Sequence, residues 1–230
     1  VYIPVGWGFD SFDNIIVLSE YGAKGYGGAT HVYMSTDYGA TLTTIMDMSD
    51  DVQIAAINAN LTDQIIQKPY GDVYAIHIHG VNYDPIWKRI FVCLGDGLAN
   101  GSHILWSDDF GVTWKGNYYH DIYNGVDRAL QMLRVVPFKT HFLLFSDAST
   151  QGFFHMPRTN KDEIPEISWL QDITLNGESQ LYNPANISSK PYVIGGYHKF
   201  RNKAMYISTS VHTNADLIAG VKLCVLGTLD

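Results

Sequence analysis

The sequence predicts an all-β protein, a β-propeller built of four-stranded antiparallel blades. Two observations favour this fold class. Short runs rich in Val, Ile, Tyr and Phe, broken by Gly, Asn and Asp, follow one another along most of the 230 residues, and these runs recur as a repeat. Four strands in a repeat of roughly 40 to 50 residues are typical of propeller blades. We therefore expect a single propeller domain or fragment over residues 1–230.

Four stretches of the chain correspond to the predicted blades, and the first two align best. Both run from a strand through a polar turn to a strand that ends in an acid, then through a Gly-rich loop to a strand closed by Ser-x-Asp-x-Gly. The third copy is looser, and we expect the fourth to be incomplete because it stops where its third strand ends. The predicted blades cover residues 5–48, 77–118, 129–173 and 191–230.

One segment between the first two blades departs from the strand pattern. Residues 50–67 would place Ile54, Ile57, Leu61 and Ile65 on one side of a helix. We expect either a short helix or an irregular insertion there.

The composition excludes several classes of function. A formal net charge of −8 argues against non-specific nucleic-acid binding, which needs a basic surface. No continuous apolar run is long enough to span a bilayer, so we do not expect membrane insertion. Cys93 and Cys224 both lie in apolar runs, which favours buried free thiols over a disulfide framework.

The Ser-x-Asp-x-Gly element occurs in two clear copies and predicts a hairpin turn between the last two strands of a blade. Glycine supplies the positive φ that such a turn requires, and the aspartate accepts hydrogen bonds from turn amides. We therefore predict structural roles for both aspartates, an apolar plug at Trp114, and a solvated surface acid at Asp108. The predicted structural residues are Ser35, Asp37, Gly39, Ser107, Asp109, Gly111 and Trp114.

This element resembles the Asp-box, or BNR repeat, of sialidases and many other propellers. The second copy meets the full family pattern Ser-x-Asp-x-Gly-x-x-Trp, whereas the first has Leu42 in place of the tryptophan. The blocks HIHGVNYDPIWKRIFVCLGDG and ILWSDDFGVTW also look like sialidase-like BNR proteins of bacteria and their phages. Such propellers occur in phages as virion appendages, including tail and fibre proteins. The resemblance implies carbohydrate contact or a structural role, with the ligand on the face away from the Asp-boxes.

The ligand face that the resemblance implies is the opposite rim, where the loop after the second strand of each of the first three blades begins with an acid. These acids are Glu20, Asp96 and Asp147. They could hydrogen-bond sugar hydroxyls, bind a divalent cation or supply an acid/base pair. The alternative is that each acid only caps nearby amides at the end of its strand.

Further candidates for ligand binding lie in the same loops and in the links between blades. They are His77, His79, Tyr21, Tyr123 and Arg128. His77 and His79 would share one face of a strand, since side chains at i and i+2 point the same way, and this spacing suits metal ligation. The alternative is a pair of histidines bonded to backbone carbonyls. We therefore expect no cofactor, with a divalent cation as the alternative.

The arginines argue against sialidase activity. Sialidases bind the substrate carboxylate with three arginines, the first usually in an Arg-Ile-Pro motif, and this chain has Tyr2-Ile3-Pro4 instead. Of its five arginines, Arg89 and Arg201 fall in predicted turns on the Asp-box side. The bidentate carboxylate clamp would then be incomplete.

These observations predict a non-enzymatic, sialidase-like propeller that binds glycans or docks within a larger surface or virion assembly. The first alternative is a glycoside hydrolase or lyase that uses Glu20, Asp96 or Asp147 as acid and base. The second alternative is a purely structural scaffold. We expect an extracellular, cell-surface or virion location, with carbohydrate or other protein subunits as partners.

Overall fold

The chain is almost entirely β-strand where its structure is described, which confirms the predicted all-β class. A computed structural model describes residues 8–20, 31–60, 77–95, 103–118, 120–123, 126–129, 132–146, 153–161, 168–169, 174–175, 178–179, 197–200, 204–208 and 225–229. By its internal contacts the chain divides into two compact units, Val1–Pro137 and Phe138–Asp230. The single propeller domain stays a prediction.

The first sheet has four antiparallel strands in chain order. They are β1 (Phe9–Phe12), β2 (Ile15–Ser19), β3 (His31–Ser35) and β4 (Thr43–Asp47). Burial alternates along β2, where Ile15, Val17 and Ser19 are buried and the residues between them are half-buried. This period of two reflects a strand whose two faces differ in environment.

The second sheet repeats the four-stranded order but is more deeply buried. Its strands are β5 (His77–Asp84), β6 (Arg89–Gly95), β7 (His103–Ser107) and β8 (Lys115–Tyr118). Every residue of β6 and β7 is buried, so both faces of these strands are covered. Two covered faces explain why the sequence of β6 is a nearly continuous apolar run rather than an alternation.

The remaining strands follow the same hairpin logic. They are β9 (His120–Tyr123), β10 (Val126–Ala129), β11 (Met132–Pro137), β12 (His141–Ser146), β13 (Phe153–Pro157), β14 (Ser168–Trp169), β15 (Thr174–Leu175), β16 (Glu178–Ser179), β17 (Tyr197–Phe200), β18 (Ala204–Ser208) and β19 (Val225–Leu229). Strands β11 to β14 form a third four-stranded sheet in chain order, and β17 to β19 form a three-stranded sheet. The pairs β9–β10 and β15–β16 are two-stranded.

The helix α1 (Asp51–Asn58) lies at the start of the predicted 50–67 segment. Asp50 caps it, since its carboxylate accepts a hydrogen bond of 2.9 Å from the Val52 amide. Ile54 and Ile57 are buried as the helical spacing predicts, while Leu61 and Ile65 lie outside the described residues. Over the described residues, no helix has the length and apolar character needed to cross a membrane.

One hydrophobic core joins the first two sheets and the helix. It includes Val17 and Val32 of the first sheet, Val92 and Leu105 of the second, and Ile57 of α1. Cys93 is a free, buried thiol as predicted, and its burial raises the pKa of the thiol despite the opposing charge of Arg134. Cys224 lies outside the described residues.

A buried polar network crosses this apolar interior and joins the first strands of the three four-stranded sheets. Asp10 of β1 accepts hydrogen bonds from the Asn82 side chain at 3.0 Å and from the Tyr83 amide at 2.8 Å. Arg134 of β11 donates to Asn82 Oδ1 at 3.0 Å and to the Phe9 carbonyl at 2.6 Å. Buried charges are tolerated when they are paired and hydrogen-bonded, so this network fixes the three strands against one another.

Candidate functional site

The two ends of the first sheet have different chemistry. The β1–β2 and β3–β4 turns lie at one end, because neighbouring strands are antiparallel. The end of β2, the start of β3 and the end of β4 lie at the other, where His31 pairs in register with Asp47. The first end contains the Ser-x-Asp-x-Gly turn, and the second contains Glu20.

The two Ser-x-Asp-x-Gly turns close on themselves through the same hydrogen bonds. In the first, Ser35 Oγ donates to Asp37 at 2.7 Å and accepts from the Gly39 amide at 2.8 Å, while Asp37 accepts from the Thr41 amide at 2.9 Å and from its hydroxyl at 2.6 Å. The equivalent bonds of Ser107 and Asp109 measure 2.8, 2.7, 2.9 and 2.6 Å. Both aspartates therefore bond within their own turns.

These hydrogen bonds stabilise the ionised form of each aspartate. The Thr41 hydroxyl and amide, with Ser35, lower the pKa of Asp37 to about 2. Partial burial acts in the opposite sense on Asp109, yet the bonds from Thr113 and Ser107 still lower its pKa. Carboxylates held in this way are poor proton donors near neutral pH.

Asp108 is ion-paired, so the prediction of a merely solvated acid is wrong. Its carboxylate accepts two hydrogen bonds from Arg89, at 2.8 Å from Nε and at 2.9 Å from Nη2. The Arg89 side chain is buried, and its guanidinium lies 4.9 Å from the Trp87 ring centroid and 5.4 Å from that of Trp106. A buried guanidinium needs such a bidentate partner, and adjacent sequence letters do not reveal one.

The opposite end of the sheet contains what we term the Glu20 cluster, formed by Glu20, His31, Tyr33 and Asp47. Glu20 Oε2 lies 2.7 Å from His31 Nδ1 and accepts from the His31 amide at 3.2 Å. Glu20 Oε1 accepts a 2.7 Å hydrogen bond from the Tyr33 hydroxyl. Both oxygens of this buried carboxylate are therefore engaged, and Glu20 orients the two ring side chains beside it.

Asp47 completes the cluster on its outer side. Its Oδ1 lies 3.4 Å from His31 Nε2 and accepts from the Ser49 amide at 2.8 Å and hydroxyl at 2.6 Å. The backbone amide of Asp47 donates to Gln53 of α1, which ties the end of β4 to the helix. The imidazole of His31 thus lies between two carboxylates.

The electrostatics of the cluster follow from these contacts. Burial raises the pKa of Glu20, but the hydrogen bonds from Tyr33 and His31 outweigh it and leave the pKa below its usual value. Burial and the neighbouring Glu20 raise the pKa of Tyr33 to about 12. Burial likewise opposes ionisation of Asp47, yet the bonds from Ser49 and the proximity of His31 lower its pKa. At neutral pH the cluster therefore holds two carboxylates and a protonated phenol.

Part of the cluster is open to solvent. The side chains of His31 and Asp47 are 30% and 32% exposed, whereas that of Glu20 is 3% exposed. The His31 and Tyr33 rings are stacked, with centroids 5.8 Å apart and an angle of 22° between planes. A partly exposed carboxylate and imidazole can accept hydrogen bonds from, or donate them to, the polar groups of a ligand.

His79, the second predicted histidine, lies in a closely packed interior position. Its Nδ1 lies 3.0 Å from the Met132 carbonyl oxygen, and its ring covers Gly95 so closely that any side chain at position 95 would collide with it. A β-bulge falls at His79, between Ile78 and Gly80, so the simple i, i+2 alternation from His77 is interrupted. The contact with a carbonyl is the arrangement that the sequence leaves open as the alternative to a metal.

Six other predicted site residues lie wholly or partly outside the described part of the chain. Asp96, Asp147 and Tyr21 lie outside the described residues. His77, Tyr123 and Arg128 lie in β5, β9 and β10, and their side chains are outside the described part. Within the described residues, no group of three or more His, Cys, Asp or Glu side chains is arranged to hold a metal ion.

Sequence reasoning missed three members of the cluster. His31 and Tyr33 occupy positions i and i+2 of β3, which places both on one face, and this spacing was a usable signal. Asp47 gave no such signal, because only the antiparallel register of β3 and β4 brings it to His31.

No protein-family model matches the chain, and no curated protein matches it significantly.

Proposed function

We propose that the chain is a sialidase-like β-propeller without enzymatic activity, which binds glycans at the edge opposite its Asp-box turns and serves within a larger surface or virion assembly. The observation that best supports glycan binding is the Glu20 cluster. In it the buried Glu20 carboxylate orients His31, whose ring is stacked on that of Tyr33. The His31 imidazole and the Asp47 carboxylate are partly exposed, and they lie at the end of the sheet opposite the Ser-x-Asp-x-Gly turn.

The propeller is supported by the repeated sheet order and by the network that joins the first strands. Three sheets of four antiparallel strands follow one another in chain order, as successive blades do. In a propeller the first strand of each blade lies nearest the central axis. Asp10 of β1 contacts Asn82 of β5, and Asn82 contacts Arg134 of β11, as neighbouring inner strands would.

The state of Glu20 argues against the hydrolase or lyase alternative. A glycosidase needs one carboxylic acid that stays protonated near neutral pH, and burial without hydrogen-bond donors is the usual means of achieving this. Glu20 is buried but accepts bonds from His31 and Tyr33, and its pKa is lowered. It is therefore suited to hold His31 in place rather than to protonate a leaving group.

The described arginines also argue against a sialidase-type carboxylate clamp. Arg89 is bound to Asp108, and Arg134 is bound within the buried network. Arg158 donates from Nε and Nη2 to the carbonyl oxygen of Phe138, at 3.0 and 2.8 Å. Each of these three guanidinium groups is thus engaged by the protein itself.

A glycan array with matched variants tests this proposal. We expect the wild-type chain to bind a subset of glycans, and Asp47→Asn and His31→Ala to weaken that binding roughly tenfold or more, as loss of a charge-assisted hydrogen bond would. The control is Asp13→Asn, which removes an exposed carboxylate at the Asp-box end of the same sheet, where asparagine tolerates the positive φ of 53°. The control should bind as the wild type does.

Two results would overturn the proposal. One is the absence of binding to any glycan by a chain whose circular dichroism shows folded β-structure. The other is binding that survives both cluster variants unchanged, which would locate the ligand elsewhere. Turnover of a bound glycan by the wild type, lost in Glu20→Gln, would favour the hydrolase or lyase instead.

A further inference from the structure

We infer that the Glu20 cluster selects neutral or amino sugars that present neighbouring hydroxyl groups, and that it excludes sugars that contain a carboxylate, sialic acid included. This inference rests on the proposed glycan binding and specifies its ligand. A sialidase-like fold would suggest binding of a sugar carboxylate by an arginine clamp, whereas this cluster presents carboxylates to the ligand.

The first step is the charge of the cluster. Glu20 and Asp47 are both ionised at neutral pH, and the only cationic form available inside the cluster is a protonated His31. Their described side-chain bonds and ion pairs go to His31, Tyr33 and Ser49. Two carboxylates and one imidazole give the cluster a net negative charge whether or not His31 is protonated. An anionic ligand would therefore meet like charge at close range.

The second step is that the cluster presents hydrogen-bond acceptors to a ligand. An ionised carboxylate is an acceptor only, with about four lone-pair positions over its two oxygens. In Asp47 the described bonds from Ser49 and the approach of His31 Nε2 all converge on Oδ1. Among contacts between described residues, none engages Oδ2, so this oxygen is placed to accept from a ligand, and the side chain is about a third exposed. Hydroxyl and ammonium groups donate to such an oxygen, whereas a second carboxylate cannot.

The third step is the apolar surface beside these acceptors. The His31 and Tyr33 rings stack on each other beside Asp47, and the His31 side chain is 30% exposed, so part of its ring is accessible to the C–H face of a sugar whose hydroxyls lie at the edge. A ligand whose C–H face lies on this ring can direct neighbouring hydroxyls to the Asp47 carboxylate. The same geometry suits an amino sugar, whose ammonium group would gain from the negative charge.

Glycans that differ in charge test the inference, and salt and a charge variant separate the effect of charge from that of shape. Isothermal titration would compare a galactose-terminated oligosaccharide, the same oligosaccharide capped with sialic acid, and a glucosamine oligomer with free amines. We expect the sialylated ligand to bind at least tenfold more weakly than its neutral parent. That difference should shrink in 0.5 M salt and in Asp47→Asn, because both reduce the repulsion. Glu20→Gln, which removes the charge of the other carboxylate, provides a second variant should Asp47→Asn fold poorly.

The outcomes separate this inference from the proposed function. Binding of the sialylated ligand as tight as that of its parent overturns the inference and leaves glycan binding intact. A preference for the neutral ligand that neither salt nor Asp47→Asn changes also overturns it, because shape rather than charge would then set the selectivity. Binding of none of the three ligands, with no glycan bound on the array, overturns both.

Discussion

The two Ser-x-Asp-x-Gly turns, residues 35–42 and 107–114, are alike in their hydrogen bonds and different in their packing. Their serine, aspartate and threonine bonds agree to within 0.2 Å, and their backbones match, with φ of 86° at Gly39 and 91° at Gly111. The final residue differs, since Trp114 is buried and Leu42 is half exposed. The polar residues of the motif thus define the turn, and the apolar residues determine how firmly it is anchored.

The neighbourhood of the two turns differs in the same direction. A Cβ added at Gly111 would lie 2.5 Å from Ile45 Cβ of β4, whereas one at Gly39 would meet only the tip of the Ile16 side chain at 3.1 Å. Trp114 Nε1 also donates to the Gly111 carbonyl at 3.1 Å. The second turn is therefore packed against the first sheet, while the first turn is largely surrounded by solvent.

The largest effect is expected from alanine at the two glycines. Both substitutions place a side chain at positive φ, which destabilises by about 1–2 kcal/mol. Gly111→Ala adds an overlap with Ile45 Cβ, which can be relieved only by a backbone shift, so we expect a total of about 3 kcal/mol. Urea denaturation followed by far-ultraviolet circular dichroism measures both free energies of unfolding. Equal losses for Gly39→Ala and Gly111→Ala would contradict the difference in packing.

The next effect is expected at the last residue of each turn. Trp114→Leu gives the second turn the residue of the first, and we expect it to lower the free energy of unfolding by about 2 kcal/mol through the unfilled volume and the lost bond to Gly111. Leu42→Ala should change stability by less than about 0.5 kcal/mol, because Leu42 is half exposed. A loss at Leu42 as large as that at Trp114 would show that the first turn is packed after all.

A smaller effect is expected at the variable position. Asp108→Thr introduces the residue that the first turn has at Thr36, and it leaves the buried Arg89 without its bidentate partner. We expect a loss of roughly 1.5 kcal/mol, below the value for a fully buried pair because Asp108 is a quarter exposed. The reciprocal Thr36→Asp should be nearly neutral, since Thr36 is exposed. A neutral Asp108→Thr would mean that the aromatic rings alone hold Arg89.

The smallest effect is a dependence of stability on pH in the acid range. The folded-state pKa of Asp37 is about 2, below its ordinary value of 3.8, so its contribution is present above about pH 4 and is lost as the pH falls towards 2. Asp37→Asn should flatten the stability curve of the protein in this window, and Asp109→Asn should act in the same direction. Thermal unfolding at pH 2 to 5 measures this effect. Parallel curves for variant and wild type would contradict it.

The sequence predicted one member of the Glu20 cluster, Glu20 itself, but not the contacts that bring the other members to it. Glu20 was predicted because an acid at the end of the second strand recurs along the chain. Asp47 was missed, since 16 positions separate it from His31 and only strand pairing in register brings the two together. The sequence likewise gave no sign of a partner for Arg134, which bonds to Asn82, 52 residues away. Contacts of this kind depend on how sheets pack, and no local pattern encodes them.

The sequence by itself determined the features that depend on neighbouring residues. Short apolar runs specify strands, Ser-x-Asp-x-Gly specifies a turn at a fixed spacing, and the spacing of Ile54 and Ile57 specifies one side of the helix, because each depends on geometry within a few residues. Only the tertiary structure decided which charges are paired. The sequence predicted a surface acid at Asp108, but Arg89 of β6 lies beside it and pairs with it. The sequence left catalysis open for Glu20, but His31 and Tyr33 of β3 engage its carboxylate. Burial makes such pairings necessary, and burial is a property of the assembled sheets rather than of the sequence.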